Sequence, residues 1–201
     1  MSFSISAPNY SSKHIKEKAE AFLHEYHPSL SVPVPIEEII EFELNINIVP
    51  LHGLHRAFEI DGFTSNDLST ISVDAFVQES RPGRYRFTLA HEVGHVVLHR
   101  NFFLHNIFES VSEWKDFTQS ISPRDYGIIE WQAYQFAGLV LVPAKVLRAK
   151  YHEAIELARK TGVVSGKDIQ PPAQQYIANW LAKQFVVSPE VIEKSLQRDK
   201  L

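Results

Sequence analysis

The chain has 201 residues, of which 44% are hydrophobic and 22% charged, a composition typical of a globular domain of about 100 to 200 residues. It contains no cysteine, which excludes disulfides, cysteine-ligated metal sites and thiol nucleophiles. The formal net charge of -4 disfavours binding to nucleic acid or anionic lipid by bulk charge, so any such contact requires a local basic patch.

The hydropathy of the sequence predicts neither a targeting segment nor a membrane-spanning segment. Residues 1–20 lack the apolar stretch of a signal peptide. The longest uninterrupted apolar run, residues 136–142, is far shorter than the ~20 residues that span a bilayer. We therefore expect a cytoplasmic protein without membrane contact.

The first half of the chain predicts an amphipathic helix followed by short strands that form a sheet. The turn signal Asp61-Gly62 predicts a hairpin between strands at residues 57–60 and from Phe63 onward. The other predicted elements are a helix at 13–27, a short helix at 35–44, and strands at 46–51 and 70–75.

The second half predicts helices. They are expected near residues 85–99, 126–141, 143–160, 177–185 and 189–201, with a polar stretch before the second. Residues 161–175 hold two glycines and two prolines, which predicts a joint. We accordingly divide the chain into a domain at 1–160 with an N-terminal helix, and a linker with a C-terminal helical piece at 161–201.

Residues 91–95 carry the motif H-E-x-x-H. On a helix, residues i and i+4 share one face, so His91 and His95 can bind one zinc ion, with Glu92 beside it. The composition makes a chance occurrence of this motif rare, at about 0.04 expected copies. Apolar residues surround the motif, and burying these polar groups is costly unless a metal and its water satisfy them.

A catalytic zinc needs a third protein ligand. His99 lies about 12 Å along the same helix from His91, too far to share the ion unless the helix breaks, and the glycine and histidine that follow H-E-x-x-H in metzincins are replaced by Leu98 and Asn101. Glu130 is flanked by apolar residues, so its charge requires a partner such as the metal. The remaining candidates lie in a polar stretch typical of solvated charges: Glu109, Glu113 and Asp116.

Two segments resemble the ImmA/IrrE family of zinc metallo-endopeptidases. They are RYRFTLAHEVGHVVLH at 84–99 and EWQAYQFAGLVLVP at 130–143, similar to the family patterns F-T-L-A-H-E-x-G-H and E-x-x-A-x-x-F-A-x-x-L-L-x-P. The resemblance covers roughly residues 35–145. Tyr134 departs from the pattern, which usually has a small polar residue there, and Val140 replaces a leucine.

The resemblance implies that His91, His95 and Glu130 bind Zn²⁺, with Mn²⁺ as the alternative ion, and that Glu92 is the catalytic acid and base. It also implies an α+β class and a compact zincin-like fold, in which a small mixed sheet packs on the central H-E-x-x-H helix and a helical extension follows. Members of the family often cut a helix-turn-helix repressor, so we expect such a protein as the substrate.

The sequence does not by itself identify the oxyanion donor or the surface that binds substrate. The oxyanion requires a hydrogen-bond donor, for which Tyr134, Tyr126 and His105 are candidates. An extended substrate is expected to pair with the edge of the sheet, and the strand at 70–75 is the candidate edge.

The C-terminal piece raises a competing function. Its two helices, joined at residues 186–188 with Ser188 as N-cap and Pro189 at the first helical position, resemble a helix-turn-helix, so the chain could be a DNA-binding regulator. Residues 173–201 carry a net charge of only +1, from four cations and three anions, which favours packing or repressor docking. A third hypothesis is a toxin-like partner that binds a repressor without cutting it.

Overall fold

A computed structural model describes residues 8–104, 111–164 and 169–201, which form a mixed α+β structure dominated by helices. The helices before the sheet are α1 (Ser12–Tyr26) and α2 (Ile36–Glu38), which continues as a π-helical turn (Ile39–Glu43). The strands are β1 (Asn47–Leu51), β2 (Gly62–Thr64) and β3 (Thr70–Asp74), with α3 (Leu54–Phe58) between the first two. The helices that follow are α4 (Ala75–Ser80), α5 (Pro82–Leu98), α6 (Arg100–Leu104), α7 (Val111–Ser120), α8 (Pro123–Leu141), α9 (Ala144–Lys160), α10 (Pro171–Phe185) and α11 (Pro189–Asp199).

The three strands form one mixed sheet in the order β1-β3-β2. β1 pairs with β3 in parallel, and β2 pairs with β3 in antiparallel register, with Phe63 opposite Ser72. The expectation that residues 70–75 form the edge strand is therefore wrong, because β3 is central. Its residues Ile71 and Val73 are fully buried, whereas β2 lies at an edge beside α5.

The hairpin predicted from residues 57–60 is also wrong. Two of its four residues belong to α3, which lies between Gly53 and Glu59, both in the left-handed region with φ of 76° and 61°. The carboxylate of Asp74 accepts a hydrogen bond from the backbone N–H of His55 at 2.9 Å and so fixes the first turn of α3 to the end of β3. The hairpin that forms instead joins β2 to β3.

The long helices α5 and α8 pack against each other through small residues. A Cβ atom at Gly94 would lie 3.0 Å from the Cα atom of Ala133, so the two backbones approach as closely as glycine allows. Ala133 and Ala137 are fully buried. At Gly138 on the same helix, a Cβ atom would meet open space.

The C-terminal helices α10 and α11 share the hydrophobic core of the rest of the chain. Leu181, Phe185 and Ile192 are fully buried in the same cluster as Leu89 of α5. Ser188 caps α11 by accepting a hydrogen bond from the N–H of Val191, as predicted. The C-terminal helices therefore pack on the rest of the chain, which is one of the two roles expected of them. The predicted boundary at residue 160 lies between segments that contribute to the same hydrophobic cluster.

Among the helices that the structure describes, none combines the length and the apolar character needed to cross a bilayer.

Candidate functional site

Helices α5 and α8 bring together the three side chains predicted to bind a metal. The Nε2 atoms of His91 and His95 lie 3.0 Å apart. The carboxylate of Glu130 faces both, with Oε2 at 3.2 Å from Nε2 of His91 and Oε1 at 3.3 Å from Nε2 of His95. Among the described residues these three form a cluster able to hold a metal ion.

The spacing of these donor atoms is close to what zinc requires. Zn–N and Zn–O bonds of about 2.0 to 2.2 Å in a tetrahedron place neighbouring ligand atoms about 3.3 Å apart. The observed separations of 3.0, 3.2 and 3.3 Å are close to this value, with each imidazole Nε2 facing a different oxygen of the Glu130 carboxylate. Two imidazoles and one carboxylate therefore fit a zinc ion and leave its fourth position open.

The Glu130 carboxylate and the two imidazoles of this cluster interact electrostatically. Burial opposes ionisation of Glu130, but hydrogen bonds and charge interactions with His91 and His95 outweigh it and hold the pKa of Glu130 well below its usual range. Burial lowers the pKa of His91, yet the Glu130 carboxylate more than compensates and raises it. A divalent cation would satisfy the carboxylate while leaving both imidazoles neutral.

Glu92 is held by a residue that sequence reasoning missed. The hydroxyl of Thr64 on β2 donates a hydrogen bond of 2.8 Å to Oε2 of Glu92, and both side chains are buried. β2 can come this close to α5 because of Gly62, where a Cβ atom would lie 2.7 Å from the Thr88 side chain. The contact spans 28 positions, so no local pattern could have revealed it.

A cleft of about 330 Å³ opens over the cluster. His91, Glu92, His95 and Glu130 all line it, together with Gly62 and Thr64 of β2. Its apolar lining residues include Phe103, Trp114, Ile121 and Ile129. The cleft therefore combines part of a strand, the cluster of His91, His95 and Glu130, and apolar side chains.

The three candidate oxyanion donors differ in their position relative to the cleft. Tyr126 lines the cleft, and burial together with the charges of Glu130 and Glu92 raises its pKa. Tyr134 lies outside the cleft, where its ring packs on Phe87 and its hydroxyl accepts a hydrogen bond from Lys194 at 3.1 Å. His105 lies outside the described residues.

The carboxylates rejected as ligands lie elsewhere or cannot be assessed. Glu113 and Asp116 belong to α7, a helix within the predicted polar stretch, and do not join the cluster. Glu109 lies outside the described residues.

His99 contacts Nδ1 of His95, the ring nitrogen that does not face the cluster. Its Nδ1 atom lies 3.0 Å from Nδ1 of His95, and its Nε2 atom lies 3.0 Å from Oε1 of Gln132. Burial and the neighbouring His95 lower the pKa of His99 to about 3. His99 is thus a neutral residue that contacts His95 and does not belong to the cluster of His91, His95 and Glu130.

Comparison with protein families identifies the fold around these residues. Residues 76–197 match the profile of the IrrE N-terminal-like domain of peptidases, a match that covers more than half of the chain and includes both α5 and α8. The chain belongs to the ImmA/IrrE family. This confirms the resemblance seen in the two sequence segments, and membership indicates a hydrolase of the metallopeptidase type.

Other comparisons bear on the fold alone. A search of curated proteins finds no match to this chain. Among solved structures, it is similar to a Mycobacterium tuberculosis transcriptional regulator, with a TM-score of 0.55 and 17% sequence identity over 92% of this chain and 55% of that one. The ImmA/IrrE chain thus spans about half the length of that regulator.

Proposed function

We propose that the protein is a zinc-dependent endopeptidase with a zincin-like active site, acting in the cytoplasm on a helix-turn-helix repressor. His91, His95 and Glu130 bind the ion, and Glu92 is the catalytic acid and base. The observation that carries the proposal is the cluster of His91, His95 and Glu130, with donor atoms 3.0 to 3.3 Å from their neighbours and Glu92 in the same cleft. Family membership supports the reaction class.

The chain's own residues account for the proton transfers. When bound, the ion acts as a Lewis acid on the scissile carbonyl and makes a water molecule acidic near neutral pH. Glu92 accepts the proton of that attacking water and later delivers it to the leaving amine. Thr64 orients the Glu92 carboxylate through its 2.8 Å hydrogen bond, and Tyr126 donates to the developing oxyanion.

We propose β2, in place of β3, as the edge that binds substrate. The pairing of β2 with β3 is anchored by hydrogen bonds from Asp74 N–H to Asp61 C=O and from Ser65 N–H to Thr70 C=O. In an antiparallel ladder the intervening residues direct their backbone groups away from the partner strand. Gly62 and Thr64 therefore present N–H and C=O groups to the cleft.

The contacts of α11 weigh against a DNA-binding function. Lys194 pairs with Glu190 at 2.7 Å, and Arg198 pairs with Asp199 at 2.8 Å and also donates to the carbonyl of Val142. Cations committed to intramolecular partners are poor phosphate ligands. The likeness to a transcriptional regulator supports a regulatory setting, in which the repressor is the protease substrate.

The decisive experiment compares the wild-type protein with Glu92→Gln. Each is incubated with host lysate and zinc, and the new protein N-termini are sequenced. We expect N-termini from a repressor with wild type, and a rate at least ~10²–10⁴-fold lower with Glu92→Gln at unchanged zinc content. Equal cleavage by both proteins would exclude Glu92 as the general base.

A metal analysis of purified variants tests the ligand assignment. Glu130→Ala should hold well below one equivalent of zinc, because only two imidazoles remain. The control Asp116→Ala, exposed on α7, should hold one equivalent. Zinc retained by Glu130→Ala would show that another group is the third ligand.

A further inference from the structure

A buried chain of hydrogen bonds leads from the candidate metal centre to the N-terminal segment. The carbonyl of Pro8 accepts from Nε2 of Gln132 at 2.8 Å, and Oε1 of Gln132 faces Nε2 of His99 at 3.0 Å. Nδ1 of His99 in turn faces Nδ1 of His95 at 3.0 Å. Gln132, His99 and His95 are 0%, 1% and 4% exposed. We call these four residues the histidine relay.

The direction of every hydrogen bond in the histidine relay follows from its first member. A backbone carbonyl can only accept, so the Gln132 atom that faces Pro8 is the NH₂ group, and its oxygen faces His99. Nε2 of His99 must then carry hydrogen. Neither ring nitrogen of buried His99 faces a carboxylate, so the ring has no anionic partner to stabilise a second proton. A neutral imidazole has one N–H, so Nδ1 of His99 is an acceptor.

We propose that the histidine relay is a positioning device that holds His95 as the Nδ1–H tautomer, with its Nε2 lone pair directed at the metal. Because Nδ1 of His99 accepts, Nδ1 of His95 must donate. His95 is left with a bare Nε2, the atom that lies 3.3 Å from Glu130 and 3.0 Å from Nε2 of His91. A metal-ligating histidine is commonly fixed through its other ring nitrogen in this way.

The proposal extends the proposed function and predicts a loss of metal affinity when the histidine relay is broken. His99→Leu removes both hydrogen bonds of His99, and Gln132→Met removes the amide while keeping a similar length. Each should raise the zinc Kd by about 10–100-fold, measured by competition with a chromophoric chelator. His99→Asn, which offers an amide oxygen near the position of Nδ1, should recover most of the affinity.

A matched control separates positioning from loss of a buried histidine. His27 is 8% exposed, and its Nε2 lies 2.8 Å from the carbonyl of Ser31, outside the cleft. His27→Leu should lower thermal stability to a similar degree and leave the zinc Kd unchanged. A general destabilisation would instead weaken zinc binding equally in all the variants, His99→Asn included, and would overturn the proposal.

A spectroscopic measurement on the wild type requires no variant. In zinc-loaded, full-length protein with ¹⁵N-labelled histidine, we expect hydrogen on Nδ1 of His95 and coordination through Nε2. Hydrogen on Nε2, or an unchanged zinc Kd in folded His99→Leu and Gln132→Met, would overturn the proposal. If wild type bound no zinc, the proposed function would fail too. If it bound zinc and cleaved substrate while the variants kept full affinity, the histidine relay alone would fail.

Discussion

Burial and near neighbours give single side chains in the cleft different chemical properties. Tyr126 lies one helical turn before Glu130 on α8. Burial, then the charges of Glu130 and Glu92, raise the pKa of its hydroxyl, so it remains a hydrogen-bond donor at neutral pH. A protonated donor in a partly buried cleft is suited to stabilise an oxyanion.

Tyr126→Phe tests this role. Removing one oxyanion donor should lower kcat by about 10²–10³-fold, with zinc content and thermal stability close to those of wild type. Steady-state kinetics on a cleaved peptide measures the effect. The control Tyr134→Phe changes a hydroxyl outside the cleft and should keep the wild-type kcat. An equal loss in both variants would argue against a specific role for Tyr126.

At the scale of elements, the position of β2 beside α5 makes one sheet edge available to substrate. Gly62 and Thr64 line the cleft and direct their backbone groups away from β3. Residues on a bound strand would alternate between pairing with this edge and facing away. We therefore predict that every second residue of a bound substrate forms backbone hydrogen bonds with this edge, whatever the substrate sequence.

An N-methyl scan of a cleaved peptide tests this periodicity. Methylation of an amide that pairs with β2 removes a donor and should lower kcat/KM, whereas methylation of the next amide should have little effect. Losses should thus fall on alternate residues. Uniform tolerance of methylation would place the substrate away from β2.

Asp74 links three elements and gives the fold an acid-sensitive joint. Burial opposes its ionisation, but N–H groups of His55, Val77 and Phe76 outweigh burial and lower its pKa. The folded pKa is below the unfolded value of about 3.9. Its stabilisation is therefore complete above about pH 4 and is lost as the pH falls through the folded pKa.

Asp74→Ala should lower the free energy of unfolding by about 1–2 kcal/mol at neutral pH, because α4 loses its N-cap. The difference from wild type should narrow as the pH falls below about 4, which urea unfolding across pH measures. Asp116→Ala, exposed on α7, should change stability by less than about 0.5 kcal/mol at any pH. A pH-independent difference for Asp74→Ala would contradict the assigned charge.

At the scale of the whole molecule, the C-terminal helices are part of the core that supports α5, the helix that carries His91 and His95. Phe185 is fully buried in the main cluster. A Cβ atom at Gly83, near the start of α5, would lie 3.2 Å from the backbone of Val187 in the α10–α11 turn. Deletion of residues 173–201 would expose this core. A loss of activity in the truncated chain could therefore not be attributed to the loss of a repressor-docking surface.

We therefore predict that the deletion abolishes cooperative unfolding. Phe185→Ala should cost about 3–5 kcal/mol, while Tyr176→Ala, 37% exposed on the same helix, should cost less than about 0.5 kcal/mol. Thermal and urea unfolding followed by circular dichroism measure both. A truncated chain that unfolds cooperatively at the wild-type midpoint would show that the C-terminal helices form a separate unit.

The sequence by itself determined the features that depend on near neighbours in the chain. His91 and His95 share a face because an α-helix repeats every 3.6 residues, and Glu130 was singled out because a charge within apolar residues requires a partner. Only the tertiary structure decided the strand order β1-β3-β2, the contact of Thr64 with Glu92 and the histidine relay. The physical reason is that hydrophobic patterning specifies which face of an element is buried, whereas the partner on that face depends on packing between residues far apart in the chain.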